Sequence, residues 1–309
     1  MSIYQRLVDY YSRSGAQVVG GMWGDILRCE QSELVLALES KSADSLRVAL
    51  GKKEVLRGLE PYERIPTDKT PGLELIRTLG QRIGITPARD DEKPSPTNNW
   101  MTPHLELLSK IELRFGPLSL PECFGRTVHD QDTCYSYLQN LSAAATLGLH
   151  CRKFPERILE IGAGLGMFGI AAHRLGTRSY TVVDLPTTGV VSAFYLNQVL
   201  GDVVWLYGEP ARDSYSRHFP NTMLSGAVGE YDAIVNYNSL PELPYVAQEA
   251  YVQFIIRCLD SGGIFHSINQ ESDNIGQRSV PLAIDGRLRL IYRAPFMMRP
   301  GYMEEIYTK

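Results

Sequence analysis

A chain of 309 residues, 44% hydrophobic and 21% charged, has the make-up of a globular protein with a sizeable core, in one large domain or two smaller ones. Its net charge of -4 and pI of 5.9 argue against a nucleic-acid partner, which calls for a basic excess. No apolar run approaches the roughly 18 residues of a membrane span, and the N-terminus carries charges where a signal peptide would be apolar. The five scattered cysteines form no C-x-x-C pair, so the sequence reads as a reduced, cytoplasmic protein.

The first 120 residues read as helical. "SIYQRLVDYY" puts Ile3, Leu7 and Tyr11 on one face. "SADSLRVALGKKEVLRGLEPYE" and "PGLELIRTLGQRIG" add further helices, punctuated by Gly and Pro. A polar, Pro-rich linker follows near 87–99, "PARDDEKPSPTNN". Helices resume with "MTPHLELLSKIELRFG" and, after "FGRTVHDQDT", with "CYSYLQNLSAAATLGLH". This region serves as a lid, a substrate-selecting part or a dimerisation platform, and a homodimer stays open.

From Arg157 the pattern alternates. "RILEIGA" predicts a strand, "MFGIAAHRLG" a helix, "SYTVVDLP" a strand, "TTGVVSAFYLNQVLG" a helix and "DVVWLYGE" a strand. "YDAIVNYNSLP" is a strand with a polar end. "YVAQEAYVQFIIRCL" is a helix with Val246, Ala250, Phe254 and Cys258 as its apolar stripe, and "GGIFHSINQES" is another strand with a polar end. "RLRLIYRAPF" and "GYMEEIYTK" close the chain as an antiparallel pair. The expectation is an α/β fold, a doubly wound, mostly parallel, seven-stranded Rossmann-like sheet over 121–309, with helices on both faces.

Between the first strand and first helix of this part stands "ILEIGAGLGMFG", Ile158 to Gly169. Glycine bends a loop without a Cβ clash and lets backbone N–H groups approach a ligand. Gly164, Gly166 and Gly169 spell G-x-G-x-x-G, the dinucleotide fingerprint. Glu160, Gly162, Gly164 and Gly166 spell E-x-G-x-G-x-G, which resembles the first motif of class I methyltransferases that use S-adenosylmethionine. Asp184, ending the next strand, suits both cofactors, since both offer a ribose diol. The acid at Glu160, the turn beginning at Gly162 and the strand pair at the end of the chain favour the methyltransferase. A nicotinamide-dependent oxidoreductase is the alternative, and glycines that merely pack are the bland one. The cofactor contacts expected are Glu160, Gly162, Ala163, Gly164, Gly166, Asp184, Leu185 and Asn236. A branched side chain at Gly162 or Gly164 is expected to enter the cofactor's space.

With "YTVVDLPTTGVVSAFYLNQVLG", "NYNSLPELP" and "GGIFHSINQES", the stretch from about Cys123 to Ser272 is similar to the sugar O-methyltransferases of natural-product and surface-polysaccharide gene clusters. The resemblance implies methyl transfer to a hydroxyl of a sugar or glycosylated natural product. A small molecule of another kind, methylated on oxygen or nitrogen, stands second. Asn238, Asn269 and Gln270 are the substrate-binding candidates, because amides donate and accept as a polyol requires. The bland reading is that such residues shape turns, and Ser239 to Glu242 itself has the form of a capping box.

A hydroxyl proton needs a base. The plant-type O-methyltransferases carry a histidine after the fourth strand, where this chain has "NYNSLPE". His129 in "TVHDQD" is the first candidate, with Asp130 or Asp132 to orient it. Glu242 and Glu271 follow, provided burial raises their pKa. His104, His150, His173 and His218 read as structural groups on helices or surface loops, and His266 as a core histidine. Acidic residues occur at no metal-binding spacing, so no metal is assigned.

Overall fold

The computed structural model describes residues 1–15, 21–57, 59, 64–66, 70–85, 109–117, 124, 132–227, 229–271 and 278–309. Runs of Ile, Val and Leu buried on both faces form its inner strands, as a sheet covered by helices on each side requires. In chain order the strands are β1 (Arg64–Pro66), β2 (Asp132–Cys134), β3 (Arg157–Ile161), β4 (Ser179–Asp184), β5 (Val204–Leu206), β6 (Ser216–Pro220), β7 (Tyr231–Tyr237), β8 (Leu259–Gln270), β9 (Arg289–Pro295) and β10 (Tyr302–Thr308). The helices are α1 (Ile3–Arg13), α2 (Gly21–Asp25), α3 (Ser32–Glu39), α4 (Ala43–Leu50), α5 (Thr70–Arg82), α6 (109–115), α7 (Tyr135–His150), α8 (Met167–Arg174), α9 (Pro186–Leu200), α10 (Tyr245–Cys258) and α11 (Val280–Ile284).

Eight strands make the main sheet, in the order β5-β6-β4-β3-β7-β8-β10-β9. The run from β5 to β8 is parallel, and β10 and β9 are antiparallel at the end. The doubly wound, mostly parallel α/β expectation therefore holds, with eight strands where seven were expected. The expected strand at "DVVWLYGE" is β5, but it lies at the sheet edge. The strand beside β4 is β6, "SRHFP", which has no apolar run to announce it. Its inward residues are Ser216, His218 and Pro220. His218, expected on a helix or loop, is fully buried there. Its ring nitrogens lie 2.8 Å from Ser216 Oγ and 3.4 Å from Ser192 Oγ. Burial pushes its pKa down to about 3, so the imidazole stays neutral.

Two further expectations change. In α10 the buried positions include Tyr251, Val252, Phe254, Ile255 and Cys258, whereas Val246 and Ala250 are exposed, because the first turn projects past the sheet. Ser239 does not cap a helix. Its Oγ instead donates to the Ile161 carbonyl at 3.3 Å. The linker at 87–99 lies outside the described residues.

The N-terminal helices pack on the sheet-bearing part through one continuous core. Leu7, Tyr10 and Leu38 share it with Tyr137, Phe168 and Tyr195. Arg6 on α1 binds Glu209 at 2.6 Å and Asp202 at 2.9 Å. Tyr10 fits α9 because Gly189 has no side chain, as a Cβ there would stand 2.5 Å from the phenol oxygen. A second, two-stranded sheet of β1 and β2 joins the N-terminal region to the start of α7. Among the described residues no helix is long and apolar enough to cross a membrane.

Gly169 on α8 illustrates how closely helix and sheet approach. A Cβ there would lie 2.5 Å from the Tyr180 ring, whose hydroxyl donates to Glu160. Gly169→Ala is expected to cost about 1–3 kcal/mol by overpacking, read as a lower urea midpoint at unchanged m-value. An unaltered midpoint would mean that the Tyr180 ring yields freely.

Candidate functional site

The chain lays down β3, then β4, then β6 with β5 on one side, and returns to place β7 and β8 on the other. The strand order reverses between β3 and β7, and a crevice opens at their carboxyl ends, where this class of sheet binds ligands. A cavity of about 280 Å³ occupies that place.

The glycine loop forms its floor. Gly162, Gly164 and Gly166 all take left-handed φ, at 73°, 56° and 77°, a conformation that costs other residues. Their roles differ. A Cβ on Gly162 would stand 2.4 Å from Ser239 Oγ, so this glycine makes room for the neighbouring loop rather than for a ligand. Nothing lies within 4 Å of a Cβ built on Gly164, which borders the cavity. A branched residue at Gly164 would thus project into open space beside the cavity, whereas one at Gly162, which lines the cavity too, would first meet Ser239. Gly166 caps α8 and packs against Leu196, which an added Cβ would crowd at 3.2 Å.

Asp184 braces this loop. Its Oδ2 accepts the Gly164 N–H at 3.2 Å and its Oδ1 the Leu185 N–H at 2.7 Å. The Ala163 amide bonds the carboxylate as well, which leaves about one of its four lone-pair sites open, and Asp184, Ala163 and Leu185 all line the cavity. Glu160 lines it too, its carboxylate held by the Tyr180 hydroxyl.

Asn236 is placed differently. It is fully buried, donates to the Ile161 carbonyl at 2.9 Å and to Ser239 Oγ, and accepts from Leu240 N at 3.2 Å and Asn269 Nδ2 at 2.9 Å. Asn269 in turn accepts the Ser239 N–H at 3.1 Å. As placed, the two amides knot the ends of β7 and β8 together, and neither lines the cavity. Gln270 is exposed at the tip of β8, outside the cavity. Asn238 does line it. The residue has φ +57°, which asparagine tolerates, and its Oδ1 is buried without a partner among the described residues.

Of the base candidates, His129 and its partner Asp130 lie outside the described residues, and so does His104. Asp132 falls in β2, and nothing describes its side chain. Glu271 is exposed and paired with Arg293 on β9, away from the cavity. Glu242 lines the cavity, and the Trp23 indole N–H donates to its Oε2 at 2.9 Å.

Sequence reading missed several lining groups. Trp23 and Leu59 come from the N-terminal region, Ser136 from α7, Thr188 from α9, and Asn221 directly follows β6. Ser136 Oγ, Thr188 Oγ1 and Asn221 Oδ1 are, like Asn238 Oδ1, buried with no partner among the described residues. Each such orphan costs about 1–3 kcal/mol unless a ligand or water meets it. Recognising β6 by its alternation would have flagged Asn221. No local signal marks Trp23.

Burial pushes Glu160 up to about 8, with the nearby Asp184 adding to the effect and the Tyr180 hydroxyl opposing it. Burial likewise raises Asp184 to about 7 against the pull of the loop amides. Glu242 is raised by burial, and Trp23 and Arg299 partly offset this. The cavity is thus lined by three carboxylates, and by no Lys, Arg or His among the described residues. Among those residues, no group of three His, Cys, Asp or Glu side chains could hold a metal ion.

No family model and no curated protein matches the chain. Solved structures do resemble it distantly. The ribosomal protein L11 methylase of Lactobacillus delbrueckii subsp. bulgaricus is 15% identical at TM-score 0.40, covering 56% of this chain and 79% of its own. The magnesium protoporphyrin IX methyltransferase of Synechocystis PCC 6803, with bound SAM, is 14% identical at TM-score 0.42, covering 56% and 78%. The N-methyltransferase NodS of Bradyrhizobium japonicum WM9, in complex with S-adenosyl-l-homocysteine, is 13% identical at TM-score 0.43, covering 76% and 98%. The architecture itself rests on the strand order described above.

The buried acids set a pH dependence. Their folded pKa values lie above the unfolded ones, about 3.9 and 4.3, so the folded state holds more protons between those limits. Their share of stability is complete at low pH and is lost as pH rises through about 7 and about 8. The melting temperature of the ligand-free protein is expected to fall between about pH 6.5 and about pH 9, a window above the titration of the unfolded histidines. Glu160→Gln should flatten that fall. A wild-type profile that rises or stays level over this range would contradict it.

Proposed function

We propose that this chain is an S-adenosylmethionine-dependent methyltransferase that methylates a hydroxyl of a sugar or glycosylated natural product. One observation carries the cofactor part. The cavity at the strand-order reversal is lined by Glu160, Asp184 and Glu242, without a cationic side chain among the described residues. Burial raises the pKa of all three acids, so a cationic ligand would be favoured there by drawing them to the charged form, whereas a pyrophosphate-bearing nicotinamide cofactor would drive them further toward the neutral one. The orphaned Ser136, Thr188, Asn221 and Asn238 oxygens suit a ligand rich in hydroxyl and amino groups. Gly164 leaves open space where such a ligand would press on the backbone.

When bound, the cofactor supplies an electrophilic methyl group. Asp184 is assigned to the ribose hydroxyls through the accepting capacity that its three backbone amides leave open. Glu242 is assigned to take the acceptor's proton, because it is the candidate base that faces the cavity and its burial favours proton uptake. His129 keeps its candidacy from the sequence. Residues 1–120 are assigned to roofing the site and selecting the acceptor, which the placement of Trp23 and Leu59 in its wall supports. The hydroxyl of a sugar rests on the motif resemblance and on Asn238, the strand-end amide that lines the cavity with its Oδ1 unpartnered among the described residues. A cytoplasmic setting agrees with the cysteines at 29, 134, 151 and 258, all unbridged.

Calorimetry decides the cofactor. S-adenosylhomocysteine should bind, and NAD and NADP should not; the reverse result would replace this reading with the oxidoreductase. Asp184→Ala should weaken binding about tenfold to a hundredfold, the loss of charge-assisted hydrogen bonds.

Single-turnover transfer to a panel of glycosides then ranks the bases. Glu242→Gln is expected to slow transfer by ~10²-fold at unchanged cofactor affinity, while Glu271→Gln leaves it near wild type. A slow His129→Ala beside a fast Glu242→Gln would move the role to His129.

A further inference from the structure

Behind the cavity wall runs a chain of polar side chains that the proposed chemistry does not use. Tyr237 on β7 lines the cavity. Its hydroxyl lies 2.9 Å from Nδ1 of His266 on β8. His266 Nε2 lies 3.1 Å from Glu304 Oε1 on β10, and Arg82 at the end of α5 donates to the other Glu304 oxygen. His266 and Glu304 are fully buried, and neither touches the cavity.

One assignment of protons satisfies every member. Tyr237 donates to Nδ1, Nε2–H donates to Glu304, and the guanidinium completes the carboxylate. Although burial pushes Glu304 up, hydrogen bonds from His266 and Arg82 hold it below the ordinary carboxylate range. Burial, with Glu160 and Glu304 nearby, raises the Tyr237 phenol well above its usual value, so it stays a donor. A buried polar network with no member unpaired is rigid. The Phe168 ring, edge-on at 5.2 Å, holds Tyr237 from another side. An aromatic ring is thereby fixed in the cavity wall near the buried acid of Glu160, a π-system that attracts an onium ion beside a carboxyl that the ion would draw into its charged form.

We infer that Tyr237 is the wall that receives the cofactor's sulfonium charge, and that Arg82, Glu304 and His266 are positioning residues that hold its ring there. The inference rests on the S-adenosylmethionine reading and names the part of the ligand recognised. It also gives the N-terminal region a hand in the cofactor site, because Arg82 belongs to α5.

The test compares S-adenosylmethionine with S-adenosylhomocysteine by calorimetry on the full chain. The two differ by the methyl group and the positive charge on sulfur. Tyr237→Leu should weaken the charged ligand more than the neutral one, shifting their ratio of dissociation constants about three- to thirty-fold. Arg82→Met, remote from the cavity, should shift the ratio in the same direction but less. Arg82→Lys should restore it, as a merely structural defect would not. Tyr237→Phe retains the ring and frees it from His266, so its ratio should fall between wild type and Tyr237→Leu.

Equal weakening of both ligands in Tyr237→Leu overturns the inference and leaves the cofactor reading intact. If Tyr237→Leu fails to fold, unchanged ratios in Tyr237→Phe and Arg82→Met overturn it instead. Failure of both ligands to bind wild type removes the cofactor reading and this inference together.

Discussion

The hydrogen bonds from the loop amides to Asp184 hold the site together. They tie the turn after β3 to the end of β4, and so fix the glycine loop, the start of α8 and the start of α9 in one frame. The loop can take that shape because three of its residues have no Cβ to forbid a left-handed backbone. The brace comes at an electrostatic cost. It draws a carboxylate into a place with little water, a short distance from a second buried acid. Such an arrangement persists where the surrounding packing over-determines it, and it is the kind of strain found at binding sites.

Around that frame the two halves of the crevice are built by different means. On the β4 side the polar groups are left open, with the Thr188 and Asn221 oxygens awaiting partners. On the β7 side Asn236, Ser239 and Asn269 consume one another's hydrogen-bonding capacity, so the strand ends are locked. Asn238, next to that locked knot, is the exception, since it lines the cavity with its Oδ1 unpartnered among the described residues.

Much of the frame was legible from local pattern. The strands β3, β4, β7 and β8 announce themselves as short apolar runs with turn signals behind them. The glycine loop, Asp184 and Glu242 could be placed at their carboxyl ends before any coordinates. The strand β6 could not, because its inward positions are Ser, His and Pro, which show no apolar run. Asn236 and Asn269 looked like ligand groups because they sit at strand ends, yet whether an amide is free depends on neighbours some thirty positions away. Trp23, Arg82 and the Tyr237 to Glu304 chain are products of tertiary placement, and nothing adjacent in sequence foretells them.

The N-terminal contacts have a consequence for the order in which the molecule assembles. Arg6 meets Glu209 across 203 positions, Trp23 meets Glu242 across 219, and Arg82 meets Glu304 across 222. Loop closure over such distances delays the contacts that depend on it. A chain emerging from the ribosome makes its helical region first, yet α1 meets its partners only once α9 and Glu209 have been made, and α5 gains its Glu304 contact only with β10. Until β10 pairs with β8 and β9, Arg82 lacks its buried carboxylate partner. The early helices therefore stay uncovered until distant parts of the chain have been made, and a chain that stops short of residue 304 would leave Arg82 without its partner.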